Sequence, residues 1–186
     1  MLLNPQTGNL LTLLLLCLPI AVGADSARAS EGDGPRFTKL GANGNALVIQ
    51  DRDWVDRGKE NEGTQWRCVR DNATGLTWEV KTRENWREVY NFARATAHAR
   101  NATICGLPEW RIPSSLELLS IVDQGAPSGP KIDKHFFNHA REAFYWSSEV
   151  YAPYPAFAVG VHFGSGAVTT ANQSGRNNLR LVHGGR

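Results

Sequence analysis

Four cationic side chains recur along one side of a predicted helix. Residues 84–99 place apolar side chains at helical spacing, which indicates a helix with one buried face. Beside that face lie Arg83, Arg87, Arg94 and His98. Guanidinium groups bind sulfate and carboxylate through paired hydrogen bonds, so this basic stripe could bind a sulfated or carboxylated glycan. The alternative is a solvated flank whose long side-chain stems cover apolar surface.

A second chemical candidate is the pair His135 and His139, spaced i and i+4 on a possible short helix next to Asp133. This spacing can place two imidazoles on one metal ion. Phe136 and Phe137 lie between the histidines and indicate a segment that chiefly anchors a core. We therefore expect neither a bound metal nor a cofactor.

Motifs of the common enzyme classes are missing from the sequence. It contains no Gly-x-Ser-x-Gly elbow, P-loop, dinucleotide fingerprint or His-Glu-x-x-His metal motif. The formal charge of +2 and the isoelectric point near 8.5 are too mild to indicate nucleic-acid binding. We expect no catalytic residue and no nucleic-acid partner.

The helices and strands that position these residues are predicted by helix-capping and turn-forming residues. Pro113, followed by Ser114 and Glu117 in a capping-box spacing, predicts that a helix begins at this point. Two short extended runs at 66–69 and 76–80, separated by the turn formers of 72–75, predict a hairpin.

The last third of the chain changes character. Residues 157–163 alternate apolar and other side chains, the turn at 164–166 follows, and 168–170 continue as a return strand. Further strands are predicted at 47–49, 144–148 and 179–182. Together the segments predict an α+β fold in which two main helices pack on antiparallel sheet, with a sheet-rich C-terminal half.

The N-terminal region predicts export. Residues 1–24 carry no charged side chain and end in small residues, which is typical of a secretory signal peptide, the alternative being a membrane-spanning helix. We interpret 25–35 as a flexible linker and 36–186 as one domain, with no stable membrane span in the mature chain. Removal of Cys17 leaves Cys68 and Cys105, which predicts a disulfide in an oxidising compartment; two buried free thiols are the alternative.

Five blocks in fixed order resemble one bacterial family, the Lcl C-terminal-type domain, named for a collagen-like surface adhesin. They include Arg-Ile-Pro-Ser at 111–114, Tyr-Trp-Ser-Ser at 145–148 and Leu-Arg-Leu-Val at 179–182, and they lie within 68–81, 105–119, 145–148, 161–166 and 179–182. The resemblance implies a C-type-lectin-like fold related to that of formylglycine-generating enzymes. It also implies binding of sulfated glycans and assembly as trimers.

Three departures limit what the resemblance transfers. No cysteine follows Cys105, so the formylglycine chemistry has no nucleophile. The Glu-Pro-Asn and Trp-Asn-Asp ligand sets of calcium-dependent lectins are missing, and no Gly-X-Y repeat enforces a trimer, so oligomerisation stays open. In the family pattern Asp71, Glu79 and Arg111 look like structural fixtures rather than catalytic charges.

Lectin-like folds present ligands from loops beside their last strands, and here those loops carry aromatic, amide and guanidinium groups suited to sugar rings and their hydroxyl or sulfate substituents. Ordinary hydrophilic loops are the alternative. The predicted ligand-binding residues are Tyr151, Tyr154, Asn172, Gln173, Arg176, Asn177 and Asn178.

The sequence therefore predicts a non-catalytic binding module, exported to the periplasm, the cell surface or the medium, that recognises a glycan or a surface protein. Its alternative role is a structural or accessory subunit of a surface assembly. An envelope enzyme with the fold of formylglycine-generating enzymes is less favoured, because no residue is convincing in a catalytic role.

Overall fold

The computed structural model describes residues 34–185, so the predicted signal peptide and nearly all of the predicted linker lie outside the described residues. Its strands and helices in chain order are β1 (Phe37–Leu40), β2 (Cys68–Asp71), β3 (Thr77–Glu79), α1 (Phe92–Asn101), α2 (Ser115–Ser120), β4 (Phe144–Val150), β5 (Phe157–His162), β6 (Ala167–Asn172) and β7 (Val182–His183), with a short 3-10 helix at Glu60–Glu62. No helix in this part of the chain is long and apolar enough to cross a bilayer.

The strands form two antiparallel sheets, which confirms the predicted α+β class. The first has the order β1-β2-β3-β7 and the second the order β4-β5-β6. Both predicted hairpins are present, because glycine lets each turn enter the left-handed region: Gly75 has φ 73° and Gly166 has φ 74°.

The second sheet separates two apolar cores. Alternate residues of a strand point to opposite faces. Tyr145 and Val161 therefore pack into one core, together with Trp78 of the first sheet, whereas Trp146 and Ala158 pack into the other. The strands β4 and β5 are thus covered on both faces along much of their length.

The segment 178–183 joins the two sheets. Its first residue, Asn178, exchanges backbone hydrogen bonds with β4: Asn178 N donates to Phe144 O and Trp146 N donates to Asn178 O, both at 3.1 Å. Val182 then pairs with Trp78 of β3 and exchanges two 3.0 Å backbone hydrogen bonds with Arg111. One short stretch of chain therefore holds three parts of the molecule in position relative to one another: β3, β4 and the extended segment before α2, which contains Arg111.

The helix α2 begins as the capping box predicts. Ser114 Oγ accepts from Glu117 N at 3.1 Å, and Glu117 Oε2 accepts from Ser114 N at 2.7 Å. Arg111 donates to both carboxylate oxygens of Glu117, at 2.7 and 2.6 Å, and to Gly184 O at 2.7 Å. Burial acts to raise the pKa of Glu117, but the hydrogen bonds from Arg111 and Ser114 outweigh it and hold that pKa below its ordinary value.

A disulfide joins Cys68 to Cys105, with the two Cα atoms 6.4 Å apart, which confirms the predicted pair. Both cysteines are buried in the core that contains Trp146. The bond ties β2 to the loop that follows α1, so it fixes the position of α1 against the first sheet.

Four element predictions are wrong in whole or in part. Of the strand predicted at 179–182, only Val182 lies in a strand, because β7 is Val182–His183. The helix predicted over 84–99 begins only at Phe92, because Tyr90 pairs with Asn177 and Asn91 caps the helix from an extended conformation. Residues 47–49 form no strand, while β1 was not predicted. Residues 134–139 form turns, so His135 and His139 do not share a helix face.

Candidate functional site

A basic groove lies between the segment that precedes α1, α1 itself and the loop after β6. Its volume is about 360 Å³. Three arginines from these separate parts of the chain contribute to its wall. The lining residues are Arg87, Glu88, Val89, Tyr90, Arg94, Ala97 and Arg176.

Backbone pairing holds the three parts of the groove together. Tyr90 N donates to Asn177 O at 2.8 Å, and Asn177 N donates to Tyr90 O at 3.0 Å. Two residues further on, Phe92 N donates to Gln173 O at 3.0 Å. Asn91 then starts α1, its side chain accepting from Arg94 N at 2.9 Å. The first turn of α1, which carries Arg94, is therefore docked against the loop that carries Arg176.

The guanidinium groups of the basic groove are available to an anion. The exposed side chains of Arg87 and Arg94 make no hydrogen bond or ion pair with any residue in 34–185; Arg87 instead lies over the Trp86 ring at 4.6 Å. Arg176 Nη2 donates to Val89 O in a long contact of 3.4 Å. Exposed cations without a carboxylate partner retain their capacity for paired hydrogen bonds to sulfate or carboxylate.

Glu88 is the acidic residue among the lining residues of the groove, and one of its carboxylate oxygens already accepts a hydrogen bond. Its Oε2 accepts from the Tyr90 hydroxyl at 2.5 Å. Burial, together with this hydrogen bond, raises the pKa of Tyr90 above its ordinary value, so the phenol stays neutral. The His98 ring packs against the Tyr90 ring, with the two ring centroids 4.9 Å apart. Three cations against one carboxylate leave the groove with a positive balance.

The basic stripe predicted from sequence is thus divided. Arg87 and Arg94 line the groove, and His98 supports Tyr90 from the side. Arg83 lies in the turn before α1, outside the lining residues, because the helix begins only at Phe92 and does not extend back to this part of the chain.

The two predicted ligand loops lie next to each other. Gln173 of the loop after β6 donates from its backbone to Ala156 O and from its side chain to Pro155 O, both at 2.8 Å. In the loop before β5 the rings of Tyr151 and Tyr154 lie 6.1 Å apart, and Tyr154 is 66% exposed. The loop after β6 therefore carries Arg176 into the basic groove while its other end contacts the loop of exposed aromatic rings.

Not every residue predicted for these loops faces solvent. Asn172 is exposed, but its side chain accepts from Ser174 N at 3.0 Å and shapes the turn. Asn178 is 6% exposed, and its amide donates to Phe144 O at 3.2 Å. The placement of Asn178 in a ligand site is corrected: its side chain positions the loop against β4.

The charged residues that could have suggested chemistry have structural contacts. Asp71 is buried and accepts from Ala73 N at 3.0 Å, and Glu79 forms a buried ion pair with Lys81 at 2.6 Å. Arg111 is held by Glu117, as described above.

The two histidines have separate partners. His135 pairs with Asp53 at 2.9 Å, and His139 pairs with Asp56 at 3.0 Å. Within residues 34–185 no three His, Cys, Asp or Glu side chains converge as metal ligands would.

A second cavity, of about 380 Å³, lies on another side of α1. Phe92, Trp110 and Ile112 contribute to its largely apolar wall, and Arg100 is its exposed cation. Arg111 also lines this cavity, but its guanidinium is paired with the Glu117 carboxylate. The cavity therefore has less capacity for a charged ligand than the basic groove.

Comparison with known proteins decides the family. Residues 67–183 match the family described as the Lcl C-terminal domain. The chain belongs to this family. The part that matches the Lcl C-terminal domain contains the disulfide, both predicted ligand loops and the whole basic groove, whereas β1 precedes it. No curated protein and no solved structure matches the chain.

Sequence reasoning found the arginines but not the groove. It missed Glu88 and the bond from Tyr90, and it assigned Arg176 to a different site from Arg87 and Arg94. A signal was present: Tyr90 lies between Arg87 and Arg94, next to Asn91, a residue type that favours helix N-caps. The pairing of Tyr90 with Asn177 is long-range and has no local sequence signature.

Proposed function

We propose that this protein is an exported, non-catalytic binding module that recognises an acidic glycan, sulfated or carboxylated, through the basic groove. The observation that carries the proposal is the convergence of Arg87, Arg94 and Arg176 on one groove that contains a single carboxylate. Planar guanidinium groups match the oxygens of sulfate and carboxylate in pairs, and the groove is large enough for a monosaccharide unit with its substituent.

The loop of Tyr151 and Tyr154 favours a glycan over a small inorganic anion. Both rings are exposed and lie side by side, and aromatic faces pack against the apolar faces of sugar rings. The loop after β6 contacts this aromatic loop and also carries Arg176, so a chain of several sugars could contact both surfaces. An acidic surface protein is the alternative ligand.

The proposal includes a C-type-lectin-like fold. Its support is the ordered set of family blocks, two antiparallel sheets with short helices, and ligand loops placed beside the later strands. An experimental structure with the chain order and sheet pairing of lectin-like domains is the check; another topology would remove this part.

We also propose that the protein is exported. The charge-free residues 1–24 support it, and so does the Cys68–Cys105 disulfide, since such bonds persist in oxidising compartments. Cell fractionation, with N-terminal sequencing of the exported form, would test it: an intact N terminus in the cytoplasm would contradict it.

The function is tested by binding to heparin and to chemically desulfated heparin over a range of salt concentrations. We expect the purified protein to bind heparin, to prefer the sulfated form, and to lose affinity as salt rises. Each of Arg94→Ala and Arg176→Ala should weaken binding by about tenfold, in line with the strength of a charge-assisted hydrogen bond.

The matched control is Arg70→Ala, which removes the same charge from the exposed face of β2. It should bind as the unmodified protein does. Equal losses in all three variants would reduce the effect to net charge, and no retention of the unmodified protein at low salt would remove the acidic-glycan proposal.

A structural or accessory role in a surface assembly is the second candidate, and the strand β6 favours it. Every residue of β6 is at least partly exposed, although β6 belongs to a sheet that is otherwise largely buried. Co-purification from envelope extract would distinguish this role, because a stable partner retained in high salt is not expected of a free lectin.

A further inference from the structure

The strand β6 (Ala167–Asn172) is the edge of the second sheet, and both of its faces are accessible. Five of its six residues are exposed and the remaining one, Ala171, is half-buried. Its neighbours Ala158, Gly160 and Val161 of β5 are buried. The sheet therefore changes within one strand spacing from a doubly covered interior to an edge that nothing in residues 34–185 covers.

The hydrogen bonds of β6 can be assigned from its register. Gln173 N donates to Ala156 O, and the pairing continues without a shift through β5 and β6. In an antiparallel pair the backbone groups of alternate residues point toward the partner strand. Ala167, Thr169 and Ala171 thus face β5, whereas the N–H and C=O groups of Val168 and Thr170 point away from the sheet.

This edge has none of the usual protection against pairing. The sequence Ala-Val-Thr-Thr-Ala-Asn contains no charge and no proline, and the β5–β6 register contains no bulge. Residues with β-branched side chains occupy its centre, which favours extended pairing. An open, neutral and regular edge of this kind is a template for another strand.

We propose that β6 pairs with β6 of a second copy, antiparallel about a two-fold axis that passes beside Thr169. In this register Val168 of each copy lies opposite Thr170 of the other, so the outward backbone groups of both residues bond to one another. Thr169 lies opposite its own counterpart. The second sheet then continues through both copies.

The strand itself argues for a second copy as the occupant. Pairing β6 with itself brings together Val168 and Thr170, whose backbone groups point outward, and sets no like charges against each other. Threonine pairs across strands are stabilising. The side chain of Val168 is 48% exposed, and in the dimer Thr170 of the second copy would cover part of it on the sheet face that it shares with Val161.

The geometry also fixes the number of copies. An interface in which one strand pairs with itself is isologous and closes at two copies. A three-fold assembly cannot use the same strand edge against itself, so a trimer would have to be built on a different surface.

The test is the mass of the protein in solution, measured by light scattering after size exclusion at about 10–200 µM. We expect twice the chain mass for the unmodified protein. T169K and T169E each place like charges across the axis and should give monomers, while an equimolar mixture of the two should return to a dimer. The control T103K adds the same charge at an exposed threonine after α1 and should leave the dimer intact.

The proposal is overturned by a monomeric or trimeric unmodified protein, or by a T169K variant that remains dimeric. Circular dichroism of each variant establishes that it is folded. Cysteine cross-linking checks the register independently: T169C should form an intermolecular disulfide, since opposed residues of a non-hydrogen-bonded pair lie within disulfide range. A T169C protein that stays uncross-linked while T103C cross-links would overturn the two-fold pairing.

Discussion

Tyr90 and Asn177 exchange two backbone hydrogen bonds, of 2.8 and 3.0 Å, and thereby join the chain before α1 to the loop after β6. This contact ends the extended segment in front of α1. It also brings Arg176 to the groove that Arg94 lines from α1. The basic groove is therefore a product of long-range pairing, and its integrity depends on the start of α1.

Asn91→Ala should destabilise the protein by about 1 kcal/mol, because the Asn91 side chain satisfies Arg94 N at the first turn of α1. Urea unfolding measures the change. The matched control is Asn101→Ala at the other end of α1, where the side chain donates to Ala97 O on an exposed surface and should contribute little. Equal losses in both variants would contradict the capping role.

Arg111→Lys should destabilise the protein by about 1.5–3 kcal/mol, because lysine cannot reproduce the paired hydrogen bonds to Glu117 together with the bond to Gly184 O. Both side chains of the pair are largely buried, at 26% and 19% exposure. Urea unfolding at neutral pH is the measurement. A variant as stable as the unmodified protein would show that the ion pair contributes little.

The same ion pair gives a dependence on pH. Since the folded state lowers the pKa of Glu117, its contribution to stability is present above the ordinary value of 4.5 and is lost as pH falls through the folded pKa. The free energy of unfolding should fall less steeply in acid for Glu117→Gln. Parallel acid profiles for the two proteins would contradict this assignment.

Replacing Cys68 and Cys105 together by alanine should cost about 3–4 kcal/mol, since the bond closes a loop with a sequence separation of 37. Reduction of the unmodified protein should produce a similar loss. Urea unfolding with and without reductant makes the comparison. A double variant as stable as the oxidised protein would show that the bond does not constrain the unfolded chain.

Lys39 predicts a second pH effect, in the alkaline range and of the same sign, because a pKa lowered by folding makes stability rise with pH in both cases. Burial lowers its pKa, more than Asp53, Asp51 and Asp133 raise it, and its amine lies 4.1 Å from the Trp66 ring centre. The folded state therefore holds this proton less tightly, so stability should rise with pH between the folded pKa and the ordinary value of 10.5.

The comparison for Lys39 is with Lys39→Met, which has no proton to release. The difference in free energy of unfolding between the unmodified protein and this variant should grow in favour of the former as the pH rises through the folded pKa of Lys39 toward 10.5. Lys134→Met, at an exposed position, should leave the profile unchanged. A constant difference across this range would mean that Lys39 titrates as an exposed lysine does.

The successful predictions of α2 and of the two hairpins depended on residues that lie close together in the sequence. Ser114 and Glu117 satisfy each other's backbone groups within one helical turn, so α2 could be placed from residues three positions apart. The turns at 72–75 and 164–166 contain glycine where the left-handed region is needed, so both hairpins followed. The disulfide followed from the number of cysteines together with the predicted signal peptide.

Long-range pairing explains what sequence could not provide. The apolar spacing over 84–99 is real, but Tyr90 gains two backbone hydrogen bonds from Asn177 and leaves the helix. The strand β1 is specified by its pairing with β2, and its sequence includes Lys39, which is unusual in a buried strand. The basic groove could not be predicted from sequence for the same reason, since its arginines come together only after the chain has folded.

The segment 178–183, which pairs with β4 and then with β3, has a consequence for biosynthesis. It leaves the ribosome after β1–β6, so the backbone pairing that joins the two sheets cannot form while it is still being made. Until β7 is released, Trp78 and Tyr145 lack their final neighbours and their core stays open. A chain of this design therefore closes this core late in its synthesis.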